Sequence, residues 1–250
     1  MGIRLALLAL LLIQNSISAG RGTGATAATG GGGTAPTLVR QAAFVGVSAA
    51  STLTATASAA PLSTNIEILL YATSLTSGAT SPTVTQTNVS WAHLTGSDAV
   101  NTTSGVRVNQ IWCGTVSASA GTAITLGLPA SMTTTGSATG VVLEVSGTAG
   151  CGSITTVAGT SVCSTATPFT PNITPSAGQT GIFVAATRIG GAAVGPGGTP
   201  TNGFTALALD SGAIRDEFSY LTTGSTSGSA VSTAWQAGTG QCSASIAFVH

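Results

Sequence analysis

Residues 68–75 read ILLYATSL, and residues 182–189 read IFVAATRI. The apolar runs there, at residues 66–71 and 182–186, contain β-branched and aromatic residues. Such runs are typical of strands that lie in the middle of a sheet and are covered on both faces. The similarity of the two segments indicates that one strand pattern occurs twice in the chain.

Further similarities between the two halves follow in the same order. Segment 91–94 matches segment 204–207, Trp112 matches Tyr220, and segment 143–145 matches segment 247–249. Aromatic residues make up only 4% of the chain, so aromatic positions that coincide in both halves favour a duplication. We therefore predict two diverged copies, at residues 37–147 and 148–250.

Clusters of Gly, Pro, Asn and Ser separate the apolar segments and are typical of turns and loops. Between such clusters the apolar positions alternate, as in the segment from Val106 to Trp112, which predicts strands with one buried face. The sequence thus predicts an all-β protein, a β-sandwich or jelly roll of about ten strands built from two five-strand repeats. Two separate small domains are the alternative.

The composition is unusual in its charge. Charged residues make up 5% of the chain, Lys is absent, the net charge is zero and 43% of the residues are apolar. A neutral chain lacks the positive charge that attracts nucleic acid or an anionic membrane, so we expect no nucleic-acid partner. A surface that interacts with water through Thr and Ser hydroxyls suits an extracellular location or the surface of a virion.

The N-terminus has the layout of a secretory signal peptide. In residues 1–19, Arg4 precedes an apolar run and small residues follow, so cleavage is expected after Ala19. An uncleaved apolar anchor that packs against partner subunits is the alternative. Residues 20–36 form a Gly- and Thr-rich tract, which predicts a flexible linker.

Four cysteines in a chain with an export leader predict two disulfides, although four free buried thiols remain the alternative. The short separation of Cys151 and Cys163 favours a bond between them. Cys113 and Cys242 would then join the two copies.

Catalytic and metal-binding patterns are weak, so we expect a protein that is not an enzyme and has no cofactor. His93 is predicted to be a surface or edge histidine, and the many Ser and Thr residues do not single out a nucleophile for it. Glu144 lies in an apolar strand, so we expect it either at the solvent face of the sheet or paired with an arginine such as Arg107. Asp216 and Glu217 are adjacent in a strand and point to opposite faces, unlike the paired carboxylates of a glycosidase. Neither Cys nor His spacing fits a metal site.

The three tryptophans are candidates for a surface that stacks against sugars. Trp91 and Trp112 occupy positions that are aromatic in both halves, so packing in the core is their expected role. Trp235 has no aromatic counterpart in the first half. It is therefore the predicted contact residue for a ligand.

The order of the strands includes a segment TLTAT at residues 52–56 before the apolar segment at 68–75, then a segment around Trp91 and a long one around Trp112. This order resembles β-sandwich modules of bacteriophage tail and virion-surface proteins. The resemblance implies a structural or receptor-contacting protein, in a homo-oligomer or beside other structural subunits, with a host glycan or receptor as a further partner. The alternatives are a secreted bacterial adhesin or matrix protein, and a carbohydrate-binding module that uses Trp235.

Overall fold

The structure is a computed structural model. It describes residues 35–46, 51–75, 81–101, 106–128, 138–154, 156–160, 170–190, 200–209, 214–233 and 241–250. Two single 3₁₀ turns occur there, and no helix in these residues is long and apolar enough to cross a membrane. The strands are β1 Thr37–Gly46, β2 Thr52–Thr56, β3 Ile66–Leu75, β4 Thr83–Gln86, β5 Val89–His93, β6 Ala99–Asn101, β7 Val106–Val116, β8 Ala123–Gly127, β9 Ala138–Ser146, β10 Thr156–Thr160, β11 Gly181–Gly190, β12 Thr205–Leu209, β13 Ile214–Thr223 and β14 Gln241–Val249.

The strands form three antiparallel sheets. The central sheet has the order β1-β9-β3-β7-β5, with β6 also paired to β7. The outer sheet has the order β2-β8-β4, and the C-terminal sheet has the order β10-β14-β11-β13-β12. The all-β prediction and the β-sandwich architecture are confirmed, whereas the jelly-roll form stays a prediction.

The central sheet lies between the other two, and β3 shows how its sequence makes this possible. Ile68 and Leu70 pack in one apolar core with β11, β13 and β14 of the C-terminal sheet. Leu69 and Tyr71 point the other way, into a second core with β2 and β8 of the outer sheet. All four side chains are fully buried. The prediction that this segment is a central strand covered on both faces is confirmed.

The outer sheet shows the opposite pattern, with one buried face. In β2, Leu53 and Ala55 are buried, while Thr52, Thr54 and Thr56 are exposed. Because successive side chains of a strand point to opposite faces, β2 places its apolar residues against the central sheet and its threonine hydroxyls in solvent.

The central and C-terminal sheets have the same strand order if β1, β9, β3, β7 and β5 correspond to β10, β14, β11, β13 and β12. The duplication stays a prediction, and this shared order supports it. If the strands correspond in this way, two residue matches are displaced. Trp112 lies opposite Leu69, but the residue opposite Phe183, the counterpart of Leu69, is Leu221 rather than Tyr220. The match of Trp112 with Tyr220 is then displaced by one residue, onto the other face of the strand. Phe204, which falls opposite Leu221, then matches His93 rather than Trp91.

The cysteine pairing also differs from the prediction. Cys113 of β7 is bonded to Cys151, with a Cα–Cα distance of 5.8 Å. The predicted pairs Cys151–Cys163 and Cys113–Cys242 are therefore wrong. Cys163 lies outside the described residues, and the side chain of Cys242 is not described.

The physical reason lies in the connection between β9 and β10. That connection brings the 3₁₀ turn Cys151–Ser153 beside β7, whereas β10 then runs away from it along the edge of the C-terminal sheet. A five-residue strand covers about 17 Å. Nearness in the sequence was a poor guide here, because a strand separates Cys151 from Cys163.

We expect the Cys113–Cys151 bond to stabilise the fold by about 4 kcal/mol, because it closes a loop between residues 38 apart. Replacing both residues by Ala should lower the free energy of unfolding, measured in urea, by about that amount, and reduction should affect wild type more than the variant. A peptide map of the unreduced protein should contain a Cys113–Cys151 link. A link from Cys113 to Cys163 or Cys242 would contradict this pairing.

Candidate functional site at the His93 edge of the central sheet

Asp216 and Glu217 are buried in β13 and point to opposite faces, as predicted. Asp216 Oδ2 lies 3.1 Å from Arg188 Nη1 and accepts a hydrogen bond of 2.5 Å from Thr139 Oγ1 on β9. Arg188 and Asp216 have no exposed side-chain surface. These groups link the C-terminal sheet to the central sheet, and solvent does not reach them.

A second set of buried charges crosses the central sheet on its other face. Arg40 of β1 lies opposite Glu144 of β9, which lies opposite Glu67 of β3. We call these three residues the carboxylate row. Arg40 Nε pairs with Glu144 Oε2. The prediction that an arginine pairs with Glu144 is confirmed, but the named example is wrong: Arg107 lies at the far end of β7, opposite Ser74.

Glu144 has a structural role in this row. Its Oε1 accepts hydrogen bonds from the Leu62 N–H at 3.0 Å and from Asn65 Nδ2 at 2.5 Å. Arg40 Nη1 donates to the Ala60 carbonyl at 3.3 Å. The ion pair thus holds the connection between β2 and β3 against the central sheet.

Glu67 is the group in the row whose protonation changes near neutral pH. Burial raises its pKa to about 7, and the charge of Glu144 adds to the increase. A hydrogen bond from Gln86 and the charge of Arg40 oppose it. Glu67 is only 2% exposed, so its titration acts on stability rather than on a ligand.

A cluster of polar side chains, some of which reach solvent, lies at the edge of the central sheet. His93 ends β5 and lies opposite Trp112 of β7, with ring centroids 4.9 Å apart. His93 Nε2 lies 3.0 Å from Asp98 Oδ1, because the 3₁₀ turn Thr95–Ser97 brings Asp98 back beside the strand. We call Ser81, His93, Asp98, Gln110 and Trp112 the His93 edge.

Gln110 joins the polar members of the His93 edge. Its Nε2 donates to Asp98 Oδ1 at 2.9 Å and to Ser81 Oγ at 2.8 Å. Gln110 is buried, Ser81 is exposed, and the side chain of His93 is 18% exposed. The exposed groups are therefore held in place by a buried one.

Asp98 differs from the other charged side chains in the part of the chain that the structure describes. Its side chain is 39% exposed, and none of the other described Arg, Asp or Glu side chains is exposed by as much as a third. Among the charged side chains that the structure describes, the His93 edge therefore presents the one that a partner in solution can reach most directly.

The His93 edge does not form a hydrolase triad. Ser81 is hydrogen-bonded to the Gln110 amide, and the described hydrogen bonds include none between Ser81 and the His93 ring. A serine nucleophile needs direct contact with its base. Groups of three or more metal-ligating side chains are absent from the described residues. Recognition by hydrogen bonds and ring contacts is the chemistry that the geometry offers.

The sequence predictions for these residues had mixed outcomes. His93 lies on an edge strand, as predicted, but its contact with Asp98 was missed. A histidine followed five residues later by an aspartate across a glycine-containing turn was the available signal. Trp91 and Trp112 are half-buried against the core beside the outer sheet. Trp235 lies outside the described residues.

Comparison of the chain with protein-family models, with curated proteins and with solved structures finds no match.

Breaking the buried Arg188–Asp216 pair should be more harmful than removing both charges. Arg188→Met and Asp216→Leu should each lower the free energy of unfolding by about 3–5 kcal/mol, because each leaves a buried charge without its counter-ion. The double variant should lose less than either single variant. Urea denaturation of the four proteins measures this, and a double variant that loses the sum of both would show that the two side chains are not coupled.

Glu67 should make the stability of the protein fall as pH rises. Below about pH 4.5 the carboxyl is protonated in both states, and between 4.5 and about 7 only the unfolded chain ionises, so the folded state loses up to about 3 kcal/mol. Glu67→Gln should remove this slope in urea titrations. Gln86→Leu, which removes a hydrogen bond that lowers the pKa, should extend the slope to higher pH. An unchanged slope in Glu67→Gln would contradict the assignment.

Proposed function

We propose that this chain is a non-enzymatic structural or adhesive protein of a virion surface, such as a tail, fibre, collar or capsid-decoration protein. The observation that carries the proposal is the distribution of polar groups. The described charges other than Asp98 are buried or largely covered, and the exposed face of the outer sheet presents threonines. Such a chain makes a stable scaffold with a neutral hydroxyl surface.

The two ends of the scaffold differ in a way that supports display. β1 begins at Thr37, opposite Ser146, so the predicted linker at residues 20–36 joins the sheets at that end. The opposite end is where the chain leaves or re-enters the described strands. Eight internal stretches of four or more residues that are outside the described residues follow or precede the strand ends there. The register places these strand ends together: Gly46 with Ala138, Leu75 with Val106, and Gly190 with Ile214 and Gln241.

The predicted contact residue Trp235 lies outside the described residues, in the connection between Thr233 and Gln241. Gln241 begins β14 at the end away from the linker. Connections at one end of a β-sandwich are where such folds carry variable contacts. A chain attached through its linker would present this end to a host glycan or receptor, beside other copies or structural subunits.

The buried carboxyl groups support a role without catalysis. Glu144 and Asp216 are held by arginines and by hydrogen bonds within the fold, and Glu67 is covered. A glycosidase needs two carboxyl groups that face one sugar ring. A secreted bacterial adhesin or matrix protein is the alternative, in which the leader at residues 1–19 is removed.

The N-terminus distinguishes the two proposals. In a virion protein assembled inside the cell, mass spectrometry of purified particles should find the chain intact from Met1, because residues 1–19 serve as an anchor. Light scattering of the same protein should show an oligomer. A chain that begins near Gly20 and is recovered from the medium, without particles, would contradict the virion role and support the secreted adhesin.

A further inference from the structure

We propose that the His93 edge is a carbohydrate-binding subsite, in which Asp98 and Ser81 bind two hydroxyl groups of a neutral sugar. The inference rests on the proposed adhesive function, because it names the ligand class that such a protein would contact. It differs from the prediction based on Trp235, which lies in another part of the chain.

Asp98 is the central group of the subsite because its carboxylate is held by protein contacts and is also exposed to solvent. Its Oδ1 accepts a hydrogen bond from Gln110 Nε2 at 2.9 Å and lies 3.0 Å from His93 Nε2. With one oxygen held from inside the protein, the exposed remainder of the carboxylate can accept hydrogen bonds from a ligand. Groups fixed before binding lose little conformational entropy when a ligand arrives.

Ser81 supplies the complementary donor. Its oxygen accepts a hydrogen bond of 2.8 Å from the same Gln110 nitrogen that bonds to Asp98. Its own hydroxyl hydrogen is therefore directed away from Gln110 and can be donated to a ligand. Because Asp98 and Ser81 both bind Gln110 Nε2, their oxygens lie close to each other. Adjacent hydroxyl groups of a sugar ring need an acceptor and a donor placed in this way.

His93 and Trp112 supply a ring surface beside these polar groups. Their ring planes are inclined by 38°, and both side chains are half-buried at the edge of the sheet. The apolar C–H face of a sugar can pack against such rings, while its hydroxyls reach the polar groups alongside. Ring contact and paired hydrogen bonds together are what distinguish a sugar from a simple alcohol.

The charge of the subsite selects among ligand classes. Asp98 presents a carboxyl group, and the two arginines whose side chains are described lie elsewhere: Arg40 is at the opposite edge of the central sheet and Arg188 is buried. Phosphates and acidic sugars are therefore repelled. A metal-bridged ligand would need more ligating groups than the described residues bring together. Neutral sugars remain, with a basic peptide as the competing occupant.

The test uses the full chain on an array of neutral hexose and N-acetylhexosamine oligosaccharides, followed by calorimetric titration with the best binder. Asp98→Asn preserves the shape of the side chain but removes its charge and one acceptor oxygen. It should weaken binding about ten-fold or more, and Ser81→Ala should weaken it less. Ser90→Ala, an exposed serine on the other face of β5, is the matched control and should bind as wild type does.

Thermal melting should show that Asp98→Asn and Ser90→Ala unfold as wild type does, so that lost binding reports on the site. The inference is overturned if wild type binds none of the sugars, if Asp98→Asn binds as tightly as wild type, or if only a lysine-rich peptide competes at Asp98. Each of these results leaves the virion role standing, because that role is tested on the N-terminus and the assembled particle. Sugar binding by a chain recovered cleaved from the medium would support the subsite and contradict the virion role.

Discussion

The burial of β3 on both faces is the constraint on which the other features depend. Successive side chains of this strand enter different cores, with Ile68 and Leu70 beneath the C-terminal sheet and Leu69 and Tyr71 beneath the outer sheet. An apolar side chain buried from water stabilises the fold by about 1.5–3 kcal/mol. A strand covered in this way has no solvent face, so polar groups on the central sheet need partners inside the protein.

The buried ion pairs follow from that constraint. Arg188 and Asp216 lie between the central and C-terminal sheets near the end that carries the longer connections. The carboxylate row lies between the central and outer sheets near the opposite end. A displaced register in either place would leave a charge buried without a partner, which is far more costly than the pair itself is stabilising. We infer that these pairs fix how the three layers align.

The sequence was most informative where the signal is local. The apolar run that begins at Ile68 was sufficient to predict a central strand, because composition alone indicates it. The alternation from Val106 to Trp112 predicted one buried face, and this was wrong: Asn109 and Gln110 are buried, as Val108 and Ile111 are. Strand β7 lies inside the central sheet, and the sheet order is not visible in the period of one segment. Pairing over long separations was not accessible. Cys151 was paired with the nearby Cys163, and Arg107 rather than Arg40 was named as an arginine partner for Glu144, because strand order decides both contacts. The His93–Asp98 pair was missed because it depends on one short turn.

The divergence of the two sheets indicates which half carries specific contacts. If they derive from one duplication, the residue that corresponds to Glu67 is Gly181, where a Cβ would lie only 2.5 Å from the ring of Phe248. The position opposite Leu221, which corresponds to His93, falls at Phe204, and that ring packs on Phe183. Apolar rings thus stand in the C-terminal sheet where the central sheet has a carboxyl and a histidine. In this correspondence, the polar contacts of the His93 edge have no equivalent in the C-terminal sheet, because rings occupy the space there.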